Sequence, residues 1–289
     1  MEYVFIVNPA AGSGFAAEMM GKLEPVLKEK EVPYRVLRTE RPAHATELAR
    51  QCAGDSGVKA VVAVGGDGTV GEVAAGLCGT EMPMGIIPAG TGNDLIKSAG
   101  IPKDPAAALD FLLTHEARAV DTGRVNDGMF LNVCGTGFDV TVLDQTERFK
   151  ARFKGLMPYL LGLIQAIFRY RPVRLKVTAD GEKLDGEYLV CSIANGRFIG
   201  GGIPICPVAE IEDGKLNLVL IRDVPRWKIP FYLPGLMGAK DLTFRITRHQ
   251  LVSEVILEGE NMRINVDGEI LPMGRAEFSI RPGSLMLIC

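Results

Sequence analysis

Two spacings of apolar residues alternate along residues 1–122. Short unbroken apolar runs are typical of strands buried on both faces, and segments with apolar residues every three or four positions are typical of helices. Because such units repeat, we expect a parallel sheet covered by helices on both sides. The pattern predicts strands at 3–7, 34–37, 58–64 and 84–87 and helices at 15–30, 43–52, 69–77, 93–99 and 105–113.

The pattern changes after residue 122. Two helical segments lie between Phe138 and Phe168, and short strands follow one another between Asp-Gly turns at 126–128, 180–181, 213–214 and 267–268. Asp-Gly is typical hairpin chemistry, so residues 123–281 are predicted to form an antiparallel domain, a β-sandwich or a related barrel-like fold, with the sandwich preferred. The last strand, Ser284–Ile288, can pair with either half, and the tail 282–289 can rejoin the first domain.

The strand-to-helix turns of the first half are rich in glycine. In a parallel sheet these turns meet at the carboxyl edge, and each leads into a helix N-terminus, which attracts anions. Three such turns side by side predict a phosphate-binding site. The candidate residues are Asn8, Gly12, Ser13 and Gly14 in the first turn, Gly65, Gly66, Gly68 and Thr69 in the second, and Gly90, Thr91, Gly92 and Asn93 in the third.

Two carboxylates, Asp67 and Asp94, stand among these glycines. A carboxylate repels phosphate unless a divalent cation lies between them, and Mg²⁺ binds carboxylates together with phosphate oxygens. The sequence therefore predicts a nucleotide triphosphate that arrives with Mg²⁺. For Asp94 the alternative is an Asx-type helix cap beside Asn93.

Other phosphate-binding motifs fit less well. Gly66-x-Gly68-x-x-Gly71 satisfies the dinucleotide pattern, but that fingerprint follows the first strand of its unit and has no use for a carboxylate. No Gly-Lys-Ser/Thr follows, so the turn is not a P-loop.

Composition narrows the class of protein. The chain has 289 residues, of which 47% are hydrophobic, and a net charge of −3, so nucleic acid is not an expected partner. The six cysteines are scattered and no C-x-x-C pair occurs, which predicts buried thiols in a reducing cytoplasm. The N-terminus has no basic, apolar leader pattern, so no signal peptide is expected.

The most apolar stretch is 155–168, with Arg and Lys on both flanks. It is shorter than the roughly 20 residues that cross a bilayer. It can be a buried core helix, or, like the aromatic stretch Trp227–Pro234, an element beside an anionic membrane surface. Whether Leu156–Phe168 lies in the core or contacts a membrane is not decided by the sequence.

Two acidic turns of the second half are candidates for chemistry. Asp213 can take a cation together with nearby backbone carbonyls. From the residues alone Glu269 is typical of a solvated turn position.

Several motifs resemble the diacylglycerol-kinase catalytic family, in its bacterial lipid-kinase branch related to sphingosine and ceramide kinases. Gly-Gly-Asp-Gly-Thr alone does not discriminate, since NAD kinases and phosphofructokinases share it, but the combination is specific. The motifs are Val7-Asn-Pro-Ala-Ala-Gly-Ser-Gly14, Val64-Gly-Gly-Asp-Gly-Thr69, Pro88-Ala-Gly-Thr-Gly-Asn-Asp94, Phe130-Leu-Asn-Val-Cys-Gly-Thr-Gly-Phe138, Ala194-Asn-Gly-Arg-Phe-Ile-Gly-Gly-Gly202 and Val266-Asp-Gly-Glu269.

The resemblance implies a Rossmann-like nucleotide domain, an ATP- and Mg²⁺-dependent lipid kinase, and roles for single residues. Asp67 is implied at the metal–phosphate centre and Glu269 as general base for a lipid hydroxyl. The further implied residues are Thr39 and Thr91 as nucleotide contacts, Asp213 with main-chain oxygens near Glu210 and Lys215 as a structural Mg²⁺ site, and Asp121 in the metal network.

One position departs from the family pattern. A lysine often follows Ser-Gly in the first loop, and here Phe15 stands there, so either Lys22 replaces that cation or ATP binds more weakly.

Three functions stay open at this stage. They are a peripheral lipid kinase, most readily one acting on diacylglycerol, an NAD-kinase-like enzyme with a soluble acceptor, and a silent nucleotide or lipid sensor. The lipid and the oligomeric state, including a homodimer, are not decided by the sequence.

Overall fold

The fold was analysed on a computed structural model, which describes residues 1–150, 153, 157–238 and 241–289. All the strands and helices predicted for the first half are confirmed, each to within two residues at either end. The elements are β1 Glu2–Val7, α1 Phe15–Glu29, β2 Tyr34–Arg38, α2 His44–Ala53, β3 Val58–Gly65, α3 Asp67–Leu77, β4 Met84–Pro88, α4 Asp94–Ala99 and α5 Pro105–Thr114.

The first four strands form the predicted parallel sheet, in the order β4-β3-β1-β2. β3 and β4 are buried almost throughout because helices cover both faces, which explains their unbroken apolar sequences. The turns after β1, β3 and β4 therefore lie together at one edge of the sheet.

The second half is the predicted antiparallel β-sandwich, with helices on one outer face. Its two helical segments between Phe138 and Phe168 are confirmed. The elements are β5 Ala117–Val125, β6 Gly128–Phe130, β7 Val133–Gly137, α6 Phe138–Lys150, α7 Met157–Arg169, β8 Val173–Ala179, β9 Glu182–Lys183, β10 Gly186–Ala194, β11 Leu216–Arg222, α8 Ile229–Met237, β12 Thr247–Val252, β13 Glu254–Glu258, β14 Arg263–Val266, β15 Glu269–Pro272 and β16 Arg275–Ile288.

Three of the four Asp-Gly turns close two-residue hairpins, as expected from the sequence. The residues at 126, 180 and 267 have φ near +50°, the left-handed region that Asn and Asp tolerate in such turns. The fourth, Asp213-Gly214, does not close a hairpin, because it lies in a long loop that leads into β11.

Strands β5 and β16 connect the two halves. Residues 278–281 of β16 pair with 122–125 of β5, and after an irregularity at Pro282 and Gly283 residues 285–288 pair with 117–120. The end of β16 also pairs in parallel with β4. The last strand therefore joins both halves, since Phe278 packs in the sandwich core and Leu287 in the core of the parallel sheet.

Helix α8 is not among the predicted elements, because Pro230 and Pro234 interrupt its apolar pattern. Pro230 lies in the first turn, where a missing N–H costs nothing. A third core packs α8 and α7 on the outer sheet of the sandwich, through Ile229, Ala166 and Val219.

Of the predicted segment Leu156–Phe168, Leu156 lies outside the described residues and the remainder belongs to α7. In the part of the chain that the structure describes, no helix combines the length and the apolar character needed to cross a bilayer.

Candidate active site

The three glycine-rich turns are packed directly against one another. A methyl group on Gly90 would overlap the Cα atom of Gly66, and one on Gly12 would come within 2.5 Å of the Ala89 carbonyl oxygen. The backbones of neighbouring turns therefore approach each other closely. At Gly12, Gly66 and Gly90 the missing side chain makes room for the adjacent turn.

Two other glycines have open space where a side chain would be. Gly14, at the start of α1, and Gly68, in the first turn of α3, have no atom within 4 Å of such a position. Because the N-terminus of an eleven-residue helix opens at Gly68, an anion can approach the positive end of its dipole there.

Asp67 binds the third turn to the start of α3. Its Oδ2 accepts the Asn93 N–H at 2.8 Å, and its Oδ1 accepts the Asp94 N–H at 2.7 Å. Partial burial raises the pKa of Asp67 and the Asp94 charge adds to this, while the two N–H groups act in the opposite direction. A side chain on Gly92 would overlap this carboxylate.

Asp94 is the first residue of α4, but it is not the cap of that helix, because Asp67 accepts the N-terminal N–H groups. One Asp94 oxygen accepts from Lys97 Nζ at 2.9 Å, and the other accepts the Gly201 N–H at 2.9 Å. Lys97 also donates to the Gly92 carbonyl oxygen at 2.9 Å. Asp94 thereby links the third turn to the glycine loop of the second half.

Lys97 is a functional candidate that the sequence analysis missed. The signal was present in the Asp94–Lys97 spacing of three residues, which places the two side chains on one helix face. Lys22, suggested as the missing cation, instead pairs with Glu18 at 2.6 Å on the exposed side of α1. Lys97 therefore supplies a cation beside the third turn, and the Phe15 side chain is exposed.

The side chains of Asn93 and Asn8 serve the turns themselves. Asn93 donates to the Gly90 carbonyl oxygen at 2.8 Å and accepts the Gly90 N–H at 3.3 Å, so it closes the third turn. Asn8 donates to Thr69 Oγ1 at 3.3 Å and accepts the Ala10 N–H, which ties the first turn to the second. Ser13 is exposed, with φ of 58°.

Two cavities lie on either side of the α3 N-terminus. The first, of about 420 Å³, brings Thr39 together with Asn8 and Thr69, and the second, of about 140 Å³, contains Thr91. The predicted nucleotide contacts Thr39 and Thr91 are therefore in different cavities. The second cavity is lined by Asp67, Thr91, Gly92, Asp94, Asn132, Val133, Leu143, Phe198, Ile199, Gly200, Gly201, Asp267 and Gly268.

The β14–β15 turn closes the second cavity from the sandwich side. Asp267 accepts the N–H groups of Leu131, Asn132 and Val133 at 2.6, 2.9 and 3.0 Å. Burial raises the pKa of Asp267 to about 6, although these three N–H groups favour its charged form. Glu269 follows Gly268 in sequence, at the exposed start of β15, and is not itself among the residues that line this cavity.

A second buried carboxyl, that of Asp139, lies next to the Asn265 side chain in this turn region. The side-chain Oδ1 of Asn265 accepts the Gly268 N–H at 2.8 Å, and the side-chain amide of Asn265 favours the charged form of Asp139 on α6. Burial is the larger effect and raises the pKa of Asp139 to about 6. Neither Asp139 nor Asp267 was predicted as a site residue.

The second predicted metal position is separate from both cavities. Burial raises the pKa of Asp213, the charges of Asp121 and Glu210 add to this, and the Lys215 N–H opposes it by donating to Asp213 Oδ1 at 2.9 Å. Asp121 accepts the Gly214 and Gly283 N–H groups, both at 2.7 Å. The carboxylates of Asp121, Asp213 and Glu210 thus lie within electrostatic range of one another.

In the part of the chain that the structure describes, no three His, Cys, Asp or Glu side chains converge as a closed metal site. Asp67 and Asp94 face one region, and Asp213 and Asp121 another. Any metal ion at either position needs main-chain oxygens, water or a ligand's oxygens to complete its coordination.

Comparison with known proteins covers both halves. Residues 2–125 match the family described as diacylglycerol kinase catalytic domain, and residues 132–289 match the YegS C-terminal NAD kinase beta sandwich-like domain. A diacylglycerol kinase of Mycobacterium tuberculosis is 30% identical over 98% of this chain and 93% of its own. A Pseudomonas aeruginosa protein named probable lipid kinase YegS-like is 35% identical over 80% of this chain and 76% of its own. The crystal structure of a diacylglycerol kinase from Bacillus anthracis superposes with a TM-score of 0.81 at 26% identity, covering 99% of this chain and 96% of the other.

Proposed function

Because the chain belongs to the diacylglycerol kinase catalytic-domain family and is a kinase with an alcohol acceptor, we propose that it transfers the γ-phosphoryl group of ATP to a lipid hydroxyl. Diacylglycerol is the first candidate acceptor, and phosphatidic acid is then the product. The observation that supports this most strongly is the α3 N-terminus between two cavities, one of them lined by carboxylates.

The larger cavity suits the nucleoside part of ATP. Thr39 and Thr69 are among the residues that line it, and its volume of about 420 Å³ falls in the range of small-molecule sites. The phosphates then pass the open positions at Gly14 and Gly68, where helix dipoles favour negative charge. The γ-phosphoryl group reaches the smaller cavity beside Thr91.

The residues around the smaller cavity fit Mg²⁺. Asp67 and Asp94 provide hard oxygen ligands. Burial raises the pKa of Asp67 and the Asp94 charge adds to this, and the Asp67 charge adds to the effect of burial on the pKa of Asp267. Buried Asn132 Oδ1 has no hydrogen-bond partner among the described residues and lines the same cavity. When bound, Mg²⁺ neutralises phosphate charge.

Glu269 acts as the general base in this proposal. It takes the proton of the lipid hydroxyl while the hydroxyl oxygen bonds to the γ-phosphorus. The bond from that phosphorus to the β–γ bridging oxygen breaks, and ADP leaves. Lys97, held between Asp94 and the Gly92 carbonyl, offsets negative charge at the third turn. Asp267 and Asn265 fix the turn that carries Glu269.

The test is label transfer from γ-labelled ATP into diacylglycerol presented in mixed micelles with Mg²⁺. Glu269→Gln should lower kcat by about 10³-fold while ATP binding persists, because the base is lost and the fold is kept. Glu260→Gln, an exposed turn carboxylate of the same half, is the control and should retain activity. A Glu269→Gln variant with a near-normal rate contradicts the assignment, and transfer to NAD with none to any lipid alcohol contradicts the proposed acceptor.

A further inference from the structure

The outer face of α7 carries an exposed apolar stripe. Met157, Leu161, Ile164 and Phe168 follow each other at intervals of four, three and four residues, so they lie on one helix face. Met157, Ile164 and Phe168 are exposed, and Phe168 is 74% exposed. The opposite face is already used, because Gly162 packs against Thr146 of α6. Leu161 is half-buried, and the three exposed side chains of the stripe are not part of the core.

Helix α8 extends this stripe with two exposed aromatic residues. Trp227 is 68% exposed and Phe231 is 76% exposed, and they are four residues apart in continuous helical backbone. Arg226 Nη1 donates to the Phe168 carbonyl oxygen at 3.2 Å, which brings the two segments together. We call Met157, Leu161, Ile164, Phe168, Trp227 and Phe231 the α7–α8 surface.

The charged residues of the two segments that carry this surface are all cations. Residues 157–174 and 224–238 contain five Arg and Lys residues and no Asp or Glu. These cations, Arg169, Arg171, Arg174, Arg226 and Lys228, are exposed, and Lys228 Nζ lies 5.2 Å from the centroid of the Trp227 ring. Asp223, just before the second segment, accepts a hydrogen bond from the Tyr170 hydroxyl.

We propose that the α7–α8 surface docks on an anionic lipid bilayer. Exposed Trp and Phe with flanking Arg and Lys are the combination that binds at the headgroup boundary, where an apolar helix face lies in the plane of the membrane. Binding of a second copy through this surface would oppose ten cations without a carboxylate from these segments, whereas an anionic bilayer complements them.

The position of α7 connects docking with the acceptor cavity. α6 packs along α7, and Leu143 of α6 lines the smaller cavity. A bilayer on the outer face of α7 is therefore separated from that cavity by little more than the thickness of the two helices. This link to substrate access rests on the proposed function, while docking itself does not.

The experiment compares sedimentation of the whole protein with phosphatidylcholine vesicles and with vesicles that also contain phosphatidylglycerol. The wild type should sediment with the anionic vesicles, and less at raised salt. The double variant Trp227→Ala, Phe231→Ala should bind them at least about tenfold more weakly, since two apolar anchors are lost. Leu251→Ala, an exposed leucine on β12, is the control and should bind normally.

Two readouts make the result decisive. Light scattering reports oligomeric state, and label transfer to a short-chain, dispersed diacylglycerol reports activity without a bilayer. Unchanged vesicle binding by the double variant overturns the proposal, as does a wild-type dimer that the double variant disrupts. If the wild type binds vesicles but transfers no phosphate to any lipid alcohol, docking stands and the proposed function fails.

Discussion

At the scale of single residues, Asp67 has a structural use that its sequence context does not reveal. A carboxylate among glycines predicts a metal-linked phosphate site, and Asp67 does line the smaller cavity. Its two oxygens also accept the N–H groups of Asn93 and Asp94, so it holds the third turn in position. Hydrogen bonding and metal binding are compatible, because each carboxylate oxygen has two lone pairs.

The glycines of the turns fall into two groups that one pair of variants can separate. Gly90→Ala should lower the free energy of unfolding by about 1 to 3 kcal/mol, because its methyl group overlaps Gly66. Gly68→Ala should keep the stability, since space is open there, and should weaken ATP binding instead. Urea unfolding and ATP titration measure both. Equal stability of the two variants would contradict the packing argument.

Asp139 should make stability depend on pH. Burial raises its pKa from 3.8 to about 6, so the folded state holds a proton that the unfolded chain has released. Stability from this carboxyl is therefore full below about pH 4 and is lost as the pH rises through about 6, by up to about 3 kcal/mol. Asp139→Asn should remove this loss and make the profile less steep, while the contribution of Asp267, whose pKa is also raised to about 6, persists.

The measurement is urea unfolding at about pH 5 and about pH 7.5, which fall within and above the window of the shifted pKa. Asp110→Asn, an exposed carboxyl on α5, is the control and should leave the wild-type pH slope unchanged. Equal slopes for Asp139→Asn and the wild type would show that Asp139 ionises in the fold as it does in the unfolded chain.

At the scale of elements, α4 is short and depends on its neighbours. The N–H group of its first residue, Asp94, donates to the Asp67 carboxylate, and the Asp94 carboxylate accepts from Lys97 Nζ and from the Gly201 N–H. Ser98 accepts the Arg197 N–H at 3.0 Å, a second link to the sandwich half. Helix α4 thus places Lys97, which is a cation beside the third turn, between the two halves of the molecule.

Lys97→Met should lower kcat by about 10²-fold, because a positioned cation beside the transferred group is lost. Lys103→Met, an exposed lysine in the loop after α4, should leave kcat unchanged. Steady-state kinetics with varied ATP separate an effect on kcat from one on KM. If only the KM for ATP changes, Lys97 contributes to nucleotide binding and not to the transfer step.

At the scale of the whole molecule, Asp121 and the loop at Asp213 lie where the two halves join. Asp121 belongs to β5, and its oxygens accept N–H groups from the Asp213 loop and from the irregularity in β16. Burial raises the pKa of Asp213, and the negative charges of Asp121 and Glu210 add to this, a repulsion that a cation would relieve. We therefore expect Mg²⁺ to stabilise this junction.

The wild-type Tm should rise with added Mg²⁺, since a ligand of the folded state stabilises it by mass action. In Asp213→Asn that rise should be smaller by about 4 °C or more, which corresponds to about 2 kcal/mol. Asp127→Asn, in the exposed β5–β6 hairpin turn, should respond like the wild type. Identical Mg²⁺ responses of all three proteins would argue against a metal ion at Asp213.

Local patterns in the sequence were enough for the two architectures and for the three adjacent turns. Apolar runs, helical spacing and Asp-Gly turns act over a few residues, and the rule that parallel strands end at one edge brings the turns together. α8 was missed because two prolines break its pattern, although one of them occupies a first turn that tolerates it.

Only the tertiary structure determined which distant groups meet. Asp267 binds backbone more than 130 residues away, Asn265 stands between Asp139 and the Gly268 N–H, and β16 crosses from one core to the other. The burial of these groups, the distances between their charges and the separation of Thr39 from Thr91 all depend on packing between elements. Local sequence spacing does not encode that packing. The same holds for the α7–α8 surface, whose helices are far apart in sequence and adjacent in the fold.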